Sequence, residues 1–480
     1  MNFQRPQSPV YARRIMGIET EYGITAVSEP SQRRLTPDEV ARELFRPVVD
    51  KHQATNIFTE NASRLYLDVG SHPEVATGEC DSLTQLLNYE RAGDAIVNEL
   101  AVGAEKTLQD MGLAKSLILF KNNVDSQGNS YGCHENYLIS RHMVLRDISR
   151  KLMPFMITRQ LICGAGMVAP QKANSPARFV LSQRADQVWE GVSSATTRSR
   201  PIINTRDEPH GDSSRFRRMH VIVGDSNMAE PTFALKVGST QLMLEMIEAE
   251  FDLPNLEVED PIAHIRDIST DLTGQTPIKL VSDADSGSTM TALEIQQVLC
   301  ERAEKWLEHR PDEGTPTVEL ARVIDLWKRT LEAIRTQDFS SVSTEIDWVI
   351  KRDLLEKYRD RLDSDWAHPK LAQIDLTYHD IRPGRGLYNV LMRKGLISRW
   401  TTDESIADSI DVAPQTTRAK LRGEFLSQAR KYGADFTVDW TRLKVNRPEP
   451  NMEEFSDPFI SEDERLAGLI DYIMEHNRDK

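Results

Sequence analysis

The chain has 480 residues, of which 39% are hydrophobic and 28% charged, and this composition is typical of a folded globular protein rather than a disordered one. Its formal net charge of −15 argues against a broad electrostatic attraction to nucleic acid or to an anionic membrane surface. The sequence has no secretory signal and no run of about 18 apolar residues, and its dispersed cysteines indicate reduced thiols, so we expect a cytoplasmic protein.

Strand-like and helical patterns alternate through the first half of the chain. Apolar residues recur at alternate positions, between turn residues, in segments 14–25, 62–69, 116–120, 135–140, 177–182 and 219–224. A long helical pattern covers 81–111, with Asp81 as the expected N-cap and Gly112 as the residue that ends it. Helical spacing then dominates from about 240 to 357. We therefore predict an α+β fold in which helices back a large, mainly antiparallel sheet.

We expect three parts along the chain. Residues 1–12 form a flexible N-terminal extension, 13–409 the main domain, and 410–480 a small C-terminal domain that starts near Pro414. The last part is predicted to contain a helix, one strand at 436–445 and a closing helix at 461–475.

Two glutamates in the first predicted strand, Glu19 and Glu21, are spaced so that both side chains leave the same face. Carboxylates at this distance repel one another unless a cation neutralises them, and oxygen ligands of this kind suit Mg²⁺. The pair therefore predicts a metal site, with a solvated polar face as the alternative.

The second predicted strand carries three chemically capable side chains on one face, Arg64, Tyr66 and Asp68, while its other face is apolar. A guanidinium group can chelate a phosphate, a phenol oxygen can approach a metal, and a carboxylate can accept a proton from an amine. Glu74 and Thr77 follow where the chain turns, a common place for functional groups. The segment therefore predicts part of an active site, and an ordinary half-exposed edge strand is the alternative.

Two further clusters are less specific. The Asn, Ser and Gly residues around His134 indicate mainly turn chemistry, with His134 as a minor candidate ligand. Arginines also gather in one short stretch of this acidic chain, at Arg198, Arg200, Arg206, Arg215, Arg217 and Arg218. Guanidinium groups suit phosphates and carboxylates, so the stretch predicts an anion site, although scattered surface arginines are the alternative for at least half of them.

The common nucleotide-binding motifs are missing from the sequence. It contains neither a P-loop nor a dinucleotide-binding glycine motif, and the zinc-protease and α/β-hydrolase motifs are missing as well. Any ATP site must therefore have another design. Carboxylates that hold Mg²⁺ beside phosphate-binding arginines provide one.

Several long strings of the sequence occur together in one known family. They are RRIMGIETEYG at 13–23, ASRLYLDVGSHPE at 62–74, FKNN at 120–123, SYGCHENYL at 130–138, INTRDEPH at 203–210 and MHVIVGD at 219–225. Together they resemble the Pup ligases (proteasome accessory factor A), a family of carboxylate–amine ligases. The resemblance implies a glutamine-synthetase-like fold, in which a curved antiparallel sheet cradles ATP and a small C-terminal α/β domain contributes to the nucleotide site.

The resemblance also implies a reaction, its cofactors and its partners. Members use ATP and Mg²⁺ to phosphorylate the C-terminal glutamate of the small disordered modifier Pup and couple it to a substrate lysine. Transferred by motif position, the implied roles are Mg²⁺ binding for Glu19, Tyr66 and Glu74, ATP contact for Arg64, Thr77 and Trp440, and the catalytic base for Asp68. His220 as a further metal ligand and Arg206 as a phosphate contact are inferred from their position beside the cradle. Without the resemblance, Trp440 would be interpreted as a core residue.

Other functions stay open beside the ligase. The first is a Pup deamidase or depupylase of the same fold; those relatives carry a long insertion between the first two strands and the string GTEVE where this chain has GIETE. The second is a non-catalytic adaptor that binds Pup through the arginines. The third is a ligase that acts on free glutamate. The short connection between the first two strands favours the Pup ligase.

Overall fold

The computed structural model describes residues 9–68, 70–125, 127–172, 175–194, 200–281 and 288–476. Its strands are β1 (Met16–Glu21), β2 (Gly23–Val27), β3 (Asn56–Phe58), β4 (Arg64–Leu67), β5 (Pro73–Ala76), β6 (Ser116–Phe120), β7 (Cys133–Ser140), β8 (Met167–Ala169), β9 (Arg178–Val180), β10 (Glu190–Ser193), β11 (Pro201–Asn204), β12 (Phe216–Val221), β13 (Pro277–Leu280), β14 (Ser288–Thr291), β15 (Phe436–Val438), β16 (Arg442–Val445) and β17 (Asn451–Glu454). Each segment predicted to be a strand in the first half of the chain overlaps at least one of these strands. Val69, at the end of the second predicted strand, lies outside the described residues.

The described part of the chain also contains many helices. They are α1 (Pro37–His52), α2 (Leu83–Asp110), α3 (Leu145–Thr158), α4 (Gln160–Cys163), α5 (Glu230–Glu248), α6 (Pro261–Ser269), α7 (Ala292–Leu307), α8 (Thr317–Thr336), α9 (Asp347–Arg361), α10 (Pro369–Tyr378), α11 (Leu387–Arg393), α12 (Asp403–Asp411), α13 (Ala419–Lys431) and α14 (Glu464–His476). The α+β class is confirmed.

The largest sheet has eight strands in the order β10-β11-β12-β7-β1-β5-β4-β3. Among these described strands, only the β10–β11 pair is parallel, and every other neighbouring pair is antiparallel. β1 lies in the middle of the sheet, and β5 separates it from β4. The strands that carry Glu19, Glu74 and Tyr66 are therefore neighbours in the sheet.

The back of this sheet packs on helices. Ile18 of β1 is 1% exposed and belongs to a core that also contains Leu86 of α2, Leu235 of α5 and Trp327 of α8. Helix α5 is buried along its whole length, which is typical of a helix at the centre of a large core. Because Ile18 faces the helices, its neighbours Gly17 and Glu19 face the front of the sheet. The prediction that helices back the sheet is confirmed.

Helix α2 corresponds to the long predicted helix but begins differently. Its N-cap is Ser82, so the prediction that Asp81 caps it was wrong. The Asp81 carboxylate instead accepts hydrogen bonds from Arg13 Nε at 2.8 Å and from the Thr416 hydroxyl at 2.6 Å. Asp81 therefore links distant segments, which local spacing cannot reveal. Gly112 follows the helix end with a φ of +68°, as predicted.

The C-terminal segment has its own small core. Strands β15, β16 and β17 form an antiparallel sheet between α13 and α14. The core includes Leu421, Phe425, Leu443, Val445, Leu469 and Ile473. The prediction of one strand at 436–445 was wrong: Trp440 N–H donates to the Asp439 side chain at 2.7 Å, and Asp439 N–H donates to Arg442 O at 2.9 Å. Asp side chains stabilise such turns, and this turn sets Trp440 at the tip of a hairpin.

The N-terminal extension is packed where it is described. The Tyr11 ring stacks on Phe459, with centroids 6.0 Å apart, and Tyr11 N–H donates to the Glu248 carboxylate at 2.9 Å. Ala12 is buried. Both residues belong to the extension that we expected to be flexible, and these contacts explain why they are held. Residues 1–8 lie outside the described residues.

No helix in the described part of the chain combines the length and apolar character that a membrane crossing requires. The cysteines Cys80, Cys133, Cys163 and Cys300 are buried free thiols.

Candidate active site

The front face of the sheet aligns predicted site residues in rows that cross the strands. Glu19 of β1 lies opposite His134 of β7 on one side and Ala76 of β5 on the other. Ala76 in turn lies opposite Arg64 of β4. Cross-strand partners have Cβ atoms about 5 Å apart and share a face. This first row therefore brings together a carboxylate, an imidazole and a guanidinium group.

The next row lies one pleat further along β1. Glu21 lies opposite Glu74 of β5, and Glu74 lies opposite Tyr66 of β4. Asp68 follows Tyr66 by two residues, so the strand alternation directs it to the same face, just beyond this row. Its backbone N–H donates to His72 O at 2.9 Å, which holds the turn after β4.

One group of potential metal ligands consists of Glu19, His134 and His220, whose ligand atoms lie within 4.8 Å of one another. His134 Nδ1 is 3.3 Å and His220 Nε2 is 3.5 Å from Glu19 Oε2. Burial raises the pKa of Glu19, but the two imidazoles outweigh it and hold that pKa well below its usual range. His220 Nε2 is buried and has no hydrogen-bond partner among the described residues. An anionic oxygen beside an unsatisfied ring nitrogen fits a cation site.

A second group consists of Glu21, Glu74 and His134, again with ligand atoms within 4.8 Å of one another. Burial, together with the charges of Glu19 and Glu21, raises the pKa of Glu74 well above its usual range. The Tyr66 hydroxyl donates a hydrogen bond to Glu74, and its own pKa is raised, chiefly by burial. Crowded carboxylates of this kind are stabilised by a divalent cation, so these residues fit Mg²⁺.

His134 belongs to both groups, although the sequence indicated only a minor role for it. Its ring packs where a Cβ at Gly132 would stand, so Gly132 is required for this placement. The sequence signal was present in the alternation of β7, where His134 and Asn136 share a face. The density of turn residues before it concealed that signal.

A cavity of about 340 Å³ extends from Glu19 towards the C-terminal domain. The residues predicted to contact ATP, Arg64, Thr77 and Trp440, all line it, and so does His220. The Thr77 hydroxyl accepts a hydrogen bond from Ile18 N–H at 3.1 Å, which fixes its position beside β1. One elongated cavity therefore joins the predicted nucleotide contacts to the first group of potential metal ligands.

The arginine-rich stretch is divided between the cavity and the surface. Arg206, Arg217 and Arg218 line the cavity. Arg218 Nη1 donates to Asn136 Oδ1 at 2.8 Å and lies 3.4 Å from Glu19 Oε1. The others behave differently: Arg200 bonds Gln187, Arg215 pairs with Asp457, and Arg198 lies outside the described residues. Three of the six arginines therefore line the cavity, and the anion site stays a prediction.

Trp440 forms the far wall of the cavity and is half-buried, so the interpretation of it as a core residue was wrong. Its ring meets the Phe58 ring edge to face at 5.0 Å, and the Arg422 guanidinium lies 4.9 Å from its centroid. Behind it, Glu79 pairs with Arg418 and Arg422. Sequence reasoning missed these three residues because buried ion pairs between distant segments leave no local pattern.

Sequence comparisons connect this site to known proteins. A family model described as Pup-ligase protein matches residues 14–444. The chain is 71% identical over 469 residues to the Pup–protein ligase of Corynebacterium aurimucosum, covering 98% of each chain. It is 54% identical over 458 residues to the Pup–protein ligase of Mycobacterium bovis, covering 95% of this chain and 99% of that one.

Solved structures agree with the sequence comparisons. The complex between prokaryotic ubiquitin-like protein Pup and its ligase PafA superposes with a TM-score of 0.93 at 57% identity, covering 98% of this chain and 94% of that one. The Pup ligase PafA in complex with ADP superposes with a TM-score of 0.85 at 57% identity, covering 95% of this chain and 97% of that one. The similarity therefore includes both the sheet and the C-terminal domain.

Proposed function

Because this chain belongs to the Pup ligase family, we infer that it is an ATP-dependent ligase that joins the C-terminal glutamate of Pup to a lysine of a substrate protein. The related structures were solved with Pup, a substrate of this reaction, and with ADP, its nucleotide product. The observation that carries the inference is the single sheet face on which clustered carboxylates adjoin an arginine-lined cavity. The buried free thiols support a cytoplasmic location.

ATP occupies the cavity in this proposal, with its base near Trp440 and its phosphates towards Glu19. Arg64 and Thr77 contact the nucleotide between its base and its phosphates, and Arg206 contacts a phosphate. The direction follows from charge, since the carboxylate groups that need a cation lie at the Glu19 end. Planar guanidinium groups chelate phosphate oxygens well.

The metal ligands in this proposal are Glu19, Tyr66, Glu74 and His220, joined by Glu21 and His134 from the two ligand groups. Mg²⁺ held there supplies positive charge that offsets the negative charge of the transferring phosphoryl group. The protein's own contribution is to hold these oxygen and nitrogen atoms together before the substrates arrive.

The reaction has two steps. A γ-carboxylate oxygen of the Pup glutamate attacks the γ-phosphorus of ATP, and the bond from that phosphorus to the bridging oxygen breaks. The products of this step are a glutamyl phosphate and ADP. The lysine nitrogen then attacks the acyl carbon, a C–N bond forms, and phosphate leaves. A lysine amine has an ordinary pKa of about 10.4 and must lose a proton to attack. Asp68, just beyond the Glu74 and Tyr66 row, accepts that proton.

Purified protein incubated with Mg²⁺, ATP, glutamate-ended Pup and a lysine-bearing protein tests this function. We expect a mass shift that corresponds to one isopeptide bond, with stoichiometric ADP. Release of free Pup from a ready-made conjugate without ligation would instead identify a depupylase. Binding of Pup without ADP release would identify an adaptor, and ADP production with only free glutamate and a small amine would identify a small-molecule ligase.

A further inference from the structure

A buried carboxylate joins the main sheet to the C-terminal domain. Glu79 follows β5 by three positions, and its side chain is 8% exposed. Arg418, the N-cap of α13, donates to Glu79 Oε1 from Nη2 at 2.6 Å and from Nε at 3.0 Å. Arg422, one turn later, donates from Nη2 to Glu79 Oε2 and from Nη1 to Oε1 at 3.2 Å. One carboxylate thus holds two guanidinium groups of the same helix.

Besides Glu79, each arginine also hydrogen-bonds a residue that lines the cavity. Arg422 Nη1 donates to Trp440 O at 3.1 Å, and its guanidinium packs against the Trp440 ring. Arg418 Nη2 donates to His210 O at 2.8 Å. Trp440 and His210 both line the cavity, and their rings are 5.9 Å apart. Arg422 itself lies behind Trp440, with a side chain that is 1% exposed.

This buried cluster has one more positive charge than negative charge. Two guanidinium groups share one carboxylate, and the side chains of Arg418 and Arg422 are 3% and 1% exposed. Removing the partner of a buried charge is strongly unfavourable, so without Glu79 the two arginines would have to move apart or admit water. Either movement would shift the Trp440 and His210 backbone oxygens that they hold.

We propose that Glu79 is a positioning residue for nucleotide binding, which sets Trp440 and His210 against the cavity by holding Arg422 and Arg418. The proposal rests on the proposed function, since it requires a nucleotide in this cavity. It extends that function, because the C-terminal domain then contributes to ATP binding through its docking on Glu79 as well as through Trp440 itself. Catalytic groups on β1, β4 and β5 do not touch this network and should keep their geometry.

The chain offers a matched control in Glu105 of α2. Its carboxylate also pairs with two arginines, Arg382 at 3.2 Å and Arg385 at 2.8 Å. None of these three residues lines the cavity. The variants Glu79→Gln and Glu105→Gln therefore each remove a carboxylate that pairs with two arginines, and of the two carboxylates only Glu79 lines the cavity.

The test measures ADP affinity by calorimetry and the KM for ATP, kcat and KM for Pup in conjugation assays. For Glu79→Gln we expect ADP affinity to fall at least tenfold and the KM for ATP to rise equally, while kcat at saturating ATP and the KM for Pup stay within threefold of wild type. Glu79→Asp should recover part of the affinity. Glu105→Gln should leave all four quantities within threefold.

A second variant, Arg422→Lys, keeps a positive charge opposite Glu79 but loses the planar group that packs on Trp440. We expect its ADP affinity to fall as well, and it provides the test if Glu79→Gln does not fold. Unchanged ADP affinity in the folded variants would overturn the proposal, and so would an equal loss in Glu105→Gln. If wild type itself bound no ADP and made no conjugate, the proposed function would fail instead, whatever the variants did.

Discussion

Glu21 of β1 and Glu74 of β5 are direct cross-strand partners, so two carboxylates face each other on the front of the sheet. Like charges in this position destabilise an antiparallel pair. Residues on the back of the same strands pack in the cores, which keeps the strands in register despite the repulsion. A cation bound at the proposed metal site would offset this repulsion.

Replacing Glu74 with Gln should therefore have opposite effects on stability and on metal binding. Without metal, we expect the free energy of unfolding to rise by about 0.2–1 kcal/mol, because burial and the charges of Glu19 and Glu21 no longer act on an ionisable group at this position. In the presence of ADP, affinity for Mg²⁺ should fall at least tenfold. Denaturation in a chelator and calorimetric titration with Mg²⁺ measure the two effects. Glu404→Gln, on the exposed first turn of α12, serves as the control. If Glu74→Gln lowered the free energy of unfolding and left the Mg²⁺ affinity unchanged, Glu74 would not be a metal ligand.

The variant Asp68→Asn should separate the two chemical steps. Loss of a general base typically slows proton transfer by about 10²–10⁴-fold, so conjugation should fall by at least about 100-fold. ADP affinity and the thermal midpoint should stay near wild type, because Asp68 is half-buried and does not line the cavity. Gel-shift assays with a lysine-bearing protein measure the loss. Asp252→Asn, whose side chain is 83% exposed, is the control, and near-normal conjugation by Asp68→Asn would rule out the role.

Truncation of Trp440 to Ala should weaken nucleotide binding and leave Pup binding intact. Stacking of a base on an aromatic ring contributes about 1–3 kcal/mol, so ADP affinity should fall by about 5- to 150-fold. Calorimetry with ADP and with a Pup peptide measures the two affinities. Trp189→Ala removes an equal indole that is 57% exposed and does not line the cavity, and it should change neither. An equal loss of ADP affinity in Trp440→Ala and Trp189→Ala would show that the loss does not come from a contact in the cavity.

The stability that Glu79 provides should disappear in acid. Burial raises its pKa, but Arg422 and Arg418 outweigh burial and lower the pKa from 4.5 to about 2. Because the folded-state pKa is depressed, the contribution is complete above pH 4.5 and is lost as the pH falls towards 2. The difference in free energy of unfolding between wild type and Glu79→Gln should shrink by up to about 3 kcal/mol between pH 6 and pH 2. Denaturant titrations at several pH values measure it, and a constant difference would contradict the depressed pKa.

Much of the front face could be predicted from strand periodicity alone. Alternation on β1 and β4 correctly grouped Glu19 with Glu21 and Tyr66 with Arg64, since a period of two needs no tertiary information. The same reasoning cannot say which strands become neighbours. That β5 lies between these two strands, and places Glu74 between Glu21 and Tyr66, is decided by pairing between segments that are far apart in the chain.

The C-terminal wall of the cavity was the least predictable part from physical reasoning. Trp440 lies in a short apolar stretch that resembled a continuous strand, and only the local bonds of Asp439 break that strand into a hairpin. The family resemblance supplied its proposed role, and the geometry shows the contacts that hold it. Glu79 had neither a periodic pattern nor a motif role, because its importance comes from two arginines that are distant in sequence.

The ion pair between Glu79 and Arg418 spans 339 positions of the chain. At a synthesis rate of about 5–20 residues per second, the segment that contains Glu79 is made roughly 20 to 70 seconds before Arg418. During that interval the nascent chain carries its carboxylates and Asp68 without the wall formed by Trp440. In the proposed function, an incomplete or prematurely terminated chain would thus hold acid–base groups but bind ATP poorly, and only a finished polypeptide would modify other proteins.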